Sequence, residues 1–341
     1  RARLAERVVT GRIRIACTGF VFDPVAETVI RRVAPPGFDL TFAPQAETLS
    51  DEALARTDIL LTVAPVTDAM MARATRLRFI QKWGTGYEKI DTQAAARHGI
   101  AVAITAGANA DTIAEHALTL MLTVLRRVVL ADRAVRAGQW IPSQLRPISQ
   151  RLFGKTVGIV GFGNIGRALA RQLQGFRTTV LYYKRGGAVE DEADLGASHA
   201  SLDELLACSD VVSLHCPGGS QNRGMIGRTQ LARMKRGAVL INVARGELIV
   251  EDDLVEALRN GQLSGAGLDV FAEEPLRAES PLRGLDNVVL TPHSAGSLMD
   301  DIAIMARHSF DNIQAFLAGQ SIRTADRIVV PERPRPPVVP S

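Results

Sequence analysis

The chain has 341 residues, of which 46% are hydrophobic and 22% charged, with a formal net charge of +4. That length allows two domains of ordinary size, and the composition is that of a globular protein rather than a disordered or fibrous one. The small charge, with arginines spread along the chain, argues against nucleic-acid binding, and no apolar run reaches the roughly 18 residues needed to span a bilayer. Cys17, Cys208 and Cys216 form no paired spacing, so no metal site is expected and a reduced, cytoplasmic setting is the simpler reading. No signal peptide is visible, and the chain begins at Arg1 rather than Met, which points to a trimmed or processed N-terminus.

Residues 1–12 are basic and read as loose. Strands are predicted over 14–20, 38–42, 59–63, 77–82 and 101–104. Helices are predicted between them, over 24–33, 51–56, 68–74 and 92–98. This alternation predicts a parallel sheet covered on both faces. From Asp111 to Ala137 the apolar residues Ala114, Ala117, Leu118, Met121, Leu122 and Leu125 recur at helical spacing, which predicts one long helix ending at Gly138. Residues 141–150 form an arm with two prolines and no clear period.

Alternation then restarts. Strands are predicted over 157–160, 179–183, 211–215, 238–242, 267–270 and 288–290, and helices over 201–207, 229–234 and 251–260. A last long helix over 300–317 returns the chain to the first domain. The fold class expected is α/β, two doubly wound parallel-sheet (Rossmann-like) domains, the second inserted into the first. Residues 1–110 and 297–330 then form a substrate domain, and residues 111–296 a cofactor domain with a dimerisation helix and arm. Residues 331–341, with five prolines in eleven positions, read as a disordered tail. Two domains joined by two helices are a natural setting for a small substrate between them.

The stretch Val157-Gly158-Ile159-Val160-Gly161-Phe162-Gly163-Asn164-Ile165-Gly166 carries the first functional signal. In a dinucleotide-binding loop Gly161 makes the tight turn, Gly163 admits a pyrophosphate close to the backbone, and Gly166 lets helix pack on strand. A helix is predicted over 167–174, and a pyrophosphate would sit at its N-terminus, where free N–H groups and the dipole favour an anion; Asn164 and Ile165 join the glycines as expected cofactor contacts. A glycine pattern alone is weak; the strand before it and the helix after it are the confirming context.

Three further motifs follow strands: Asn242-Val243-Ala244-Arg245-Gly246, Leu268-Asp269-Val270-Phe271-Ala272-Glu273-Glu274-Pro275 and Thr291-Pro292-His293-Ser294-Ala295-Gly296. With the glycine loop, and in that order, they resemble the D-isomer-specific 2-hydroxyacid dehydrogenases, a resemblance running from about residue 14 to 329. It implies reduction of a 2-oxo acid by hydride from a nicotinamide cofactor. The chemistry suits the residues: His293 as proton donor near neutral pH, Glu274 pairing with it, and Arg245 binding the substrate carboxylate with a planar fork. Taken singly, Arg245 can cap a helix, Glu274 can be a solvated loop acid and His293 a satisfied histidine. His116, in the long helix, and His98, near a helix end, read as structural. The resemblance further implies backbone N–H groups of Thr85 and Gly86 on the carboxylate, Asp269 on the nicotinamide carboxamide, and the chain at His215-Cys216-Pro217 passing the adenine. No metal ligand is implied.

An NAD enzyme places an acid at the end of the second strand, about 20 residues past the loop. Here Lys184 stands in that position and Arg185 follows, so NADP is expected, with NAD the alternative; this resembles the NADPH-preferring glyoxylate and hydroxypyruvate reductases of the family. Relatives acting on 3-phosphoglycerate use first-domain arginines; Val63-Ala64-Pro65-Val66-Thr67 has none, though Lys82 lies near a second such position. Glu274 argues against formate, whose dehydrogenases pair the histidine with glutamine, and Thr85 against phosphite, whose dehydrogenases carry lysine there. A small 2-oxo acid such as glyoxylate or hydroxypyruvate remains, with Trp83, Leu298 and Met299 shaping its pocket. The alternatives are an NAD-dependent D-3-phosphoglycerate dehydrogenase-like enzyme and a cofactor-sensing corepressor-like binding protein. The arm and long helix resemble the family's dimer elements, so a homodimer is expected, with residues 140–146 reaching the partner.

Overall fold

A computed structural model describes residues 12–19, 24–43 and 49–336. The loose segment expected at the N-terminus therefore lies almost wholly outside the described residues, as does the end of the first predicted strand. In chain order the first unit runs β1 (Ile13–Thr18), α1 (Pro24–Val33), β2 (Phe38–Ala43), α2 (Asp51–Arg56), β3 (Ile59–Thr62), α3 (Asp68–Arg73), β4 (Phe79–Lys82), α4 (Thr92–Arg97) and β5 (Ala101–Ala103). The second begins with α5 (Ala110–Leu125), α6 (Val128–Arg136) and α7 (Pro142–Leu145). It continues with β6 (Thr156–Val160), α8 (Asn164–Leu173), β7 (Thr179–Tyr183), α9 (Glu192–Leu195), β8 (Ala197–His199), α10 (Leu202–Cys208) and β9 (Val211–Leu214). It closes with α11 (Arg228–Arg233), β10 (Ala238–Asn242), α12 (Glu251–Arg259), β11 (Leu263–Leu268) and β12 (Val288–Leu290), before α13 (Met299–Leu317) and β13 (Arg327–Val329) complete the first unit. The compact units comprise residues 1–109 with 299–341, and residues 110–298.

The second sheet has the order β12-β11-β10-β9-β6-β7-β8, parallel throughout. Successive connections run one way from β6 to β7 and β8 and the other way through β9 to β12. The carboxyl end of β6 is thus the switch point, where a crevice for a ligand opens. Apolar clusters cover both faces of this sheet, one centred on Leu120, Ile159, Leu169 and Ile241, the other on Leu205, Val212, Leu240 and Leu254.

The first sheet has the order β13-β5-β4-β3-β1-β2. It is not all parallel: β13 pairs antiparallel with β5. That edge strand is three residues long, too short to show an alternation in sequence.

Two expectations are corrected here. The long helix predicted over 111–137 is two helices, because Arg127 adopts φ 53° and breaks the backbone between α5 and α6. Its guanidinium explains the turn: Nη2 donates to the Ser264 carbonyl at 2.7 Å and Nε to the Ile148 carbonyl at 3.2 Å, contacts a continuing helix would lose. The tail is also packed as far as it is described. Arg335 Nη1 donates to the carbonyls of Ala74 at 2.6 Å and Leu77 at 3.1 Å, Nε donates to that of His98 at 2.7 Å, and Arg335 N donates to Gly99 O at 3.0 Å. A proline-rich segment cannot build its own ladder, but one arginine fork supplies donors to carbonyls left at the ends of neighbouring turns.

Hydrogen bonds to a charged donor are each worth about 1.5–3 kcal/mol. Arg335→Ala is therefore expected to lower unfolding free energy by about that much in urea titrations; an unchanged midpoint would show that the tail contributes nothing to the packed unit.

Candidate active site

The glycine turn is shaped by contacts that no side chain could share. Gly161 has φ +97°, and a Cβ there would stand 2.5 Å from the Cys216 nitrogen; one on Gly166 would stand 2.5 Å from the Gly161 carbonyl oxygen. Gly163 differs: a Cβ there would meet nothing within 4 Å, so its absence keeps open space beside the backbone. Gly163 is the N-cap of α8 and forms no side-chain cap, and the first helical bond is Arg167 N to Gly163 O at 3.0 Å. The N–H groups of Asn164, Ile165 and Gly166 thus head an uncapped helix against open space, the donor set a pyrophosphate needs. The residues fit a dinucleotide.

The loop after β9 forms another wall. Pro217 is exposed, and its carbonyl accepts from Asn222 Nδ2 at 2.8 Å. Glu247 holds this loop, accepting the Gly219 N–H at 2.6 Å and pairing with Arg223. Burial pushes the His215 imidazole down to about 3, so it stays neutral, its Nε2 2.8 Å from Ser213 Oγ.

At the end of β7 the two cations part company. Arg185 donates to the Gln221 carbonyl at 3.1 Å, to the Gln221 side chain and to Asn222 Oδ1. It therefore clasps the β9 loop while its side chain remains exposed. Lys184 is exposed, and among the described residues nothing engages its ammonium.

Arg245, Asp269, Glu274 and His293 follow the neighbouring strands β10, β11 and β12. Asn242 Nδ2 donates to the Arg245 carbonyl at 2.9 Å while its Oδ1 accepts from Ala244 N at 3.0 Å, which fixes the turn carrying the arginine. A Cβ on Gly246 would collide with the Phe271 carbonyl and the Ala272 nitrogen, so the Arg245 turn lies directly on the loop carrying Glu274. Glu274 Oε1 accepts the Phe271 N–H at 3.1 Å, and Oε2 lies 2.7 Å from His293 Nδ1. A carboxylate only accepts, so Nδ1 carries the proton in this pair and Nε2 is left for other chemistry. The Glu274–Pro275 peptide is cis. A pocket of about 560 Å³ opens here, lined by Phe271, Glu274, Pro275, Leu290, Pro292 and His293.

His293 has φ 52°, a left-handed conformation costing an L-residue of order 1–2 kcal/mol. Asp269 offsets that cost. Its carbonyl accepts the His293 N–H at 2.8 Å, its Oδ1 accepts Thr291 Oγ1 at 2.6 Å and Ser294 N at 2.9 Å, and its Oδ2 accepts Ala295 N at 3.0 Å. Burial alone would push the Asp269 carboxyl upward, but hydrogen bonds from His116, Thr291, Ser294 and Ala295 outweigh it and hold the pKa below the usual carboxylate value. The side chain exposes 0% of its surface. What the carboxylate holds is the turn bearing His293.

Thr85 and Gly86 follow β4 in the first unit, on a turn pinned where Gly84 N donates to Thr105 Oγ1 at 2.8 Å. Neither of their N–H groups finds a partner among the described residues. His98 lies 2.8 Å from Asp68 Oδ1 at the surface. His116, read from the sequence as a structural helix residue, instead reaches Thr291 beside the site. Nothing in its apolar helical context announces that. No group of three His, Cys, Asp or Glu side chains able to hold a metal occurs among the described residues, and no described helix is long and apolar enough to cross a membrane.

Comparison with known proteins agrees with this geometry. Residues 118–295 match the D-isomer specific 2-hydroxyacid dehydrogenase, NAD binding domain. A glyoxylate reductase of Korarchaeum cryptofilum is 39% identical over 264 residues, 77% of this chain and 80% of that protein. One from Aeropyrum pernix is 36% identical over 318 residues, 91% of this chain and 94% of that protein. The structure of the TT0316 protein from Thermus thermophilus superposes with a TM-score of 0.79 at 34% identity, covering 93% of this chain and 100% of its own. With its glycine turn and the strand-end loops of Arg245, Glu274 and His293, this chain belongs to the D-isomer specific 2-hydroxyacid dehydrogenase family and is a nicotinamide-dependent oxidoreductase.

Proposed function

We propose that the chain reduces a small 2-oxo acid, glyoxylate or hydroxypyruvate, with NADPH as reductant and His293 as proton donor. The observation that carries this reading is the 2.7 Å pair of His293 Nδ1 and Glu274 Oε2 at the strand ends beside the Arg245 turn. The glyoxylate reductase relatives support the substrate class.

The nicotinamide, when bound, supplies hydride to the carbonyl carbon. The cofactor's pyrophosphate is assigned to the backbone at Gly161 and Gly163 and the N–H groups of Asn164, Ile165 and Gly166, and its adenine side to the loop at Pro217. His293 starts as the imidazolium, gives the Nε2 proton to the carbonyl oxygen as charge develops there, and ends as the neutral ring with Nδ1–H still held by Glu274. Arg245 binds the carboxylate and polarises the carbonyl; Thr85 and Gly86 are assigned as substrate-binding backbone donors of the first unit. His293→Ala is expected to lower kcat about 10²- to 10⁴-fold while cofactor affinity stays within about 2-fold. A variant as active as the parent would sink the mechanism.

For the cofactor, Lys184 is the residue we assign to a 2′-phosphate, since its ammonium is exposed and unengaged among the described residues whereas Arg185 holds the loop at Gln221 and Asn222. Lys184→Asp should lower kcat/KM with NADPH about 10- to 100-fold, the loss of one charged contact, and spare NADH. Arg185→Ala should instead weaken both cofactors by a similar factor. Higher kcat/KM with NADH in the parent protein would overturn the assignment.

We also propose a homodimer in a reducing compartment. Three thiols without a disulfide support the compartment. Trp140, 83% exposed, with Val128, Val135 and Ile148, forms apolar surface on and after α6 that a partner would cover. Gel filtration at micromolar concentration should give the dimer mass; a monomer would refute it.

A further inference from the structure

We propose that His116 is a positioning residue for the proton donor, acting through Thr291 and Asp269. The inference deepens the proposed function and rests on its reading of His293. His116 belongs to α5, the helix that covers β10, β11 and β12. Its Nε2 lies 3.1 Å from Thr291 Oγ1 and 3.5 Å from Asp269 Oδ1.

The direction of this chain of bonds follows from counting protons. Asp269 is ionised and accepts only, so the single hydroxyl proton of Thr291 goes to Oδ1 at 2.6 Å. Thr291 Oγ1 then has only lone pairs to offer His116. The imidazole must donate from Nε2, whatever Nδ1 carries. The bonds therefore run one way, from His116 to Thr291 to Asp269. Thr291 is the joint between β12 and the turn, two residues before His293; its N–H is held by Leu268 O at 2.9 Å and its side chain by this relay.

Asp269 in turn fixes the backbone on the far side of His293, through Ser294 N and Ala295 N, and the His293 N–H through its own carbonyl. The N–H groups of His293, Ser294 and Ala295 thus all donate to Asp269, and His116 reaches both Asp269 and Thr291 from α5. Without its donor, Thr291 is free to rotate its hydroxyl, the carboxylate loses its most directional partner, and the turn relaxes. His293 Nδ1 can still meet Glu274, but Nε2 no longer points where the substrate oxygen must be. A positioning error of this kind falls on kcat more than on binding.

The test uses four substitutions in the full chain, assayed for glyoxylate reduction with NADPH, with cofactor affinity read by fluorescence titration and folding by thermal melt. His116→Phe keeps the ring and removes the donor; Thr291→Val keeps the shape and removes the hydroxyl. Each is expected to lower kcat about 10-fold, with cofactor affinity within about 2-fold, and the double variant should be no worse than the poorer single one, as for two links of one relay. His116→Gln and Thr291→Ser, which restore a donor and a hydroxyl, should recover kcat to within about 2-fold of the parent. A folded His116→Phe with parental kcat would overturn the proposal, as would additive losses in the double variant or a failure of both rescues. If His116→Phe does not fold, the Thr291 pair and His116→Gln decide the matter on the same criteria. The parent reading fails separately, through an active His293→Ala; with that variant inactive and His116→Phe unimpaired, only the positioning role falls.

Discussion

An ionised carboxylate withdrawn from water is tolerated only when its lone pairs are met by donors, and Asp269 meets them from the turn after β12 and from His116 of α5. That requirement orders much of the second unit. Asp269 follows β11, whose register with β12 brings Thr291 beside it. The turn after β12 then folds around the carboxylate, and a histidine backbone with φ 52° is held where an unconstrained one would relax. Further back, β11 is built with glycines because α5 lies against it: a Cβ on Gly267 would stand 2.9 Å from Leu120 Cβ, and one on Gly265 would stand 2.7 Å from Val124 Cγ1. The same close approach delivers His116 to Thr291. Small residues in a strand, a helix pressed on them and a buried acid at the strand end form one line of dependence that finishes at His293.

A second constraint joins the neighbouring loops. Gly246 leaves room for the backbone at Phe271 and Ala272, and the Phe271 N–H is held by Glu274. The arginine turn after β10 and the carboxylate loop after β11 therefore lie in direct backbone contact. On the other side of the sheet Gly161 leaves equivalent room for the chain at Cys216. Gly161 and Gly246 serve backbone contact, whereas Gly163 has open space beside it.

How far the sequence could foresee this depends on what each feature rests on. Strands such as Thr179–Tyr183, Ala238–Asn242 and Val288–Leu290 are legible because β-branched and apolar residues run unbroken through them. β11 starts four residues before its predicted position because Leu263-Ser264-Gly265-Ala266-Gly267 lacks strand formers; its conformation is set by the helix that packs on it. The break at Arg127 is invisible to periodicity, since apolar spacing continues across it and the cause is a guanidinium reaching carbonyls far along the chain. The pairing of Glu274 with His293 was legible in the motifs. The burial of Asp269 and the reach of His116 were not, because both depend on side chains meeting across strands and a helix that local sequence does not relate.

The two cations after β7 illustrate the same limit for binding. In sequence, Lys184 and Arg185 are equivalent charges placed to meet an anion. In the fold they differ because a planar fork matches a carbonyl and two side-chain oxygens at once, whereas an ammonium on a flexible stem has no such fixed partner set. The β9 loop offers those oxygens at Gln221 and Asn222, and Glu247 holds the loop in place from the far side. An arginine given that alternative is tied to the loop. The lysine keeps its charge exposed. The residue with fewer contacts thus keeps its charge unengaged among the described residues at the end of β7, while its better-connected neighbour is tied to the β9 loop.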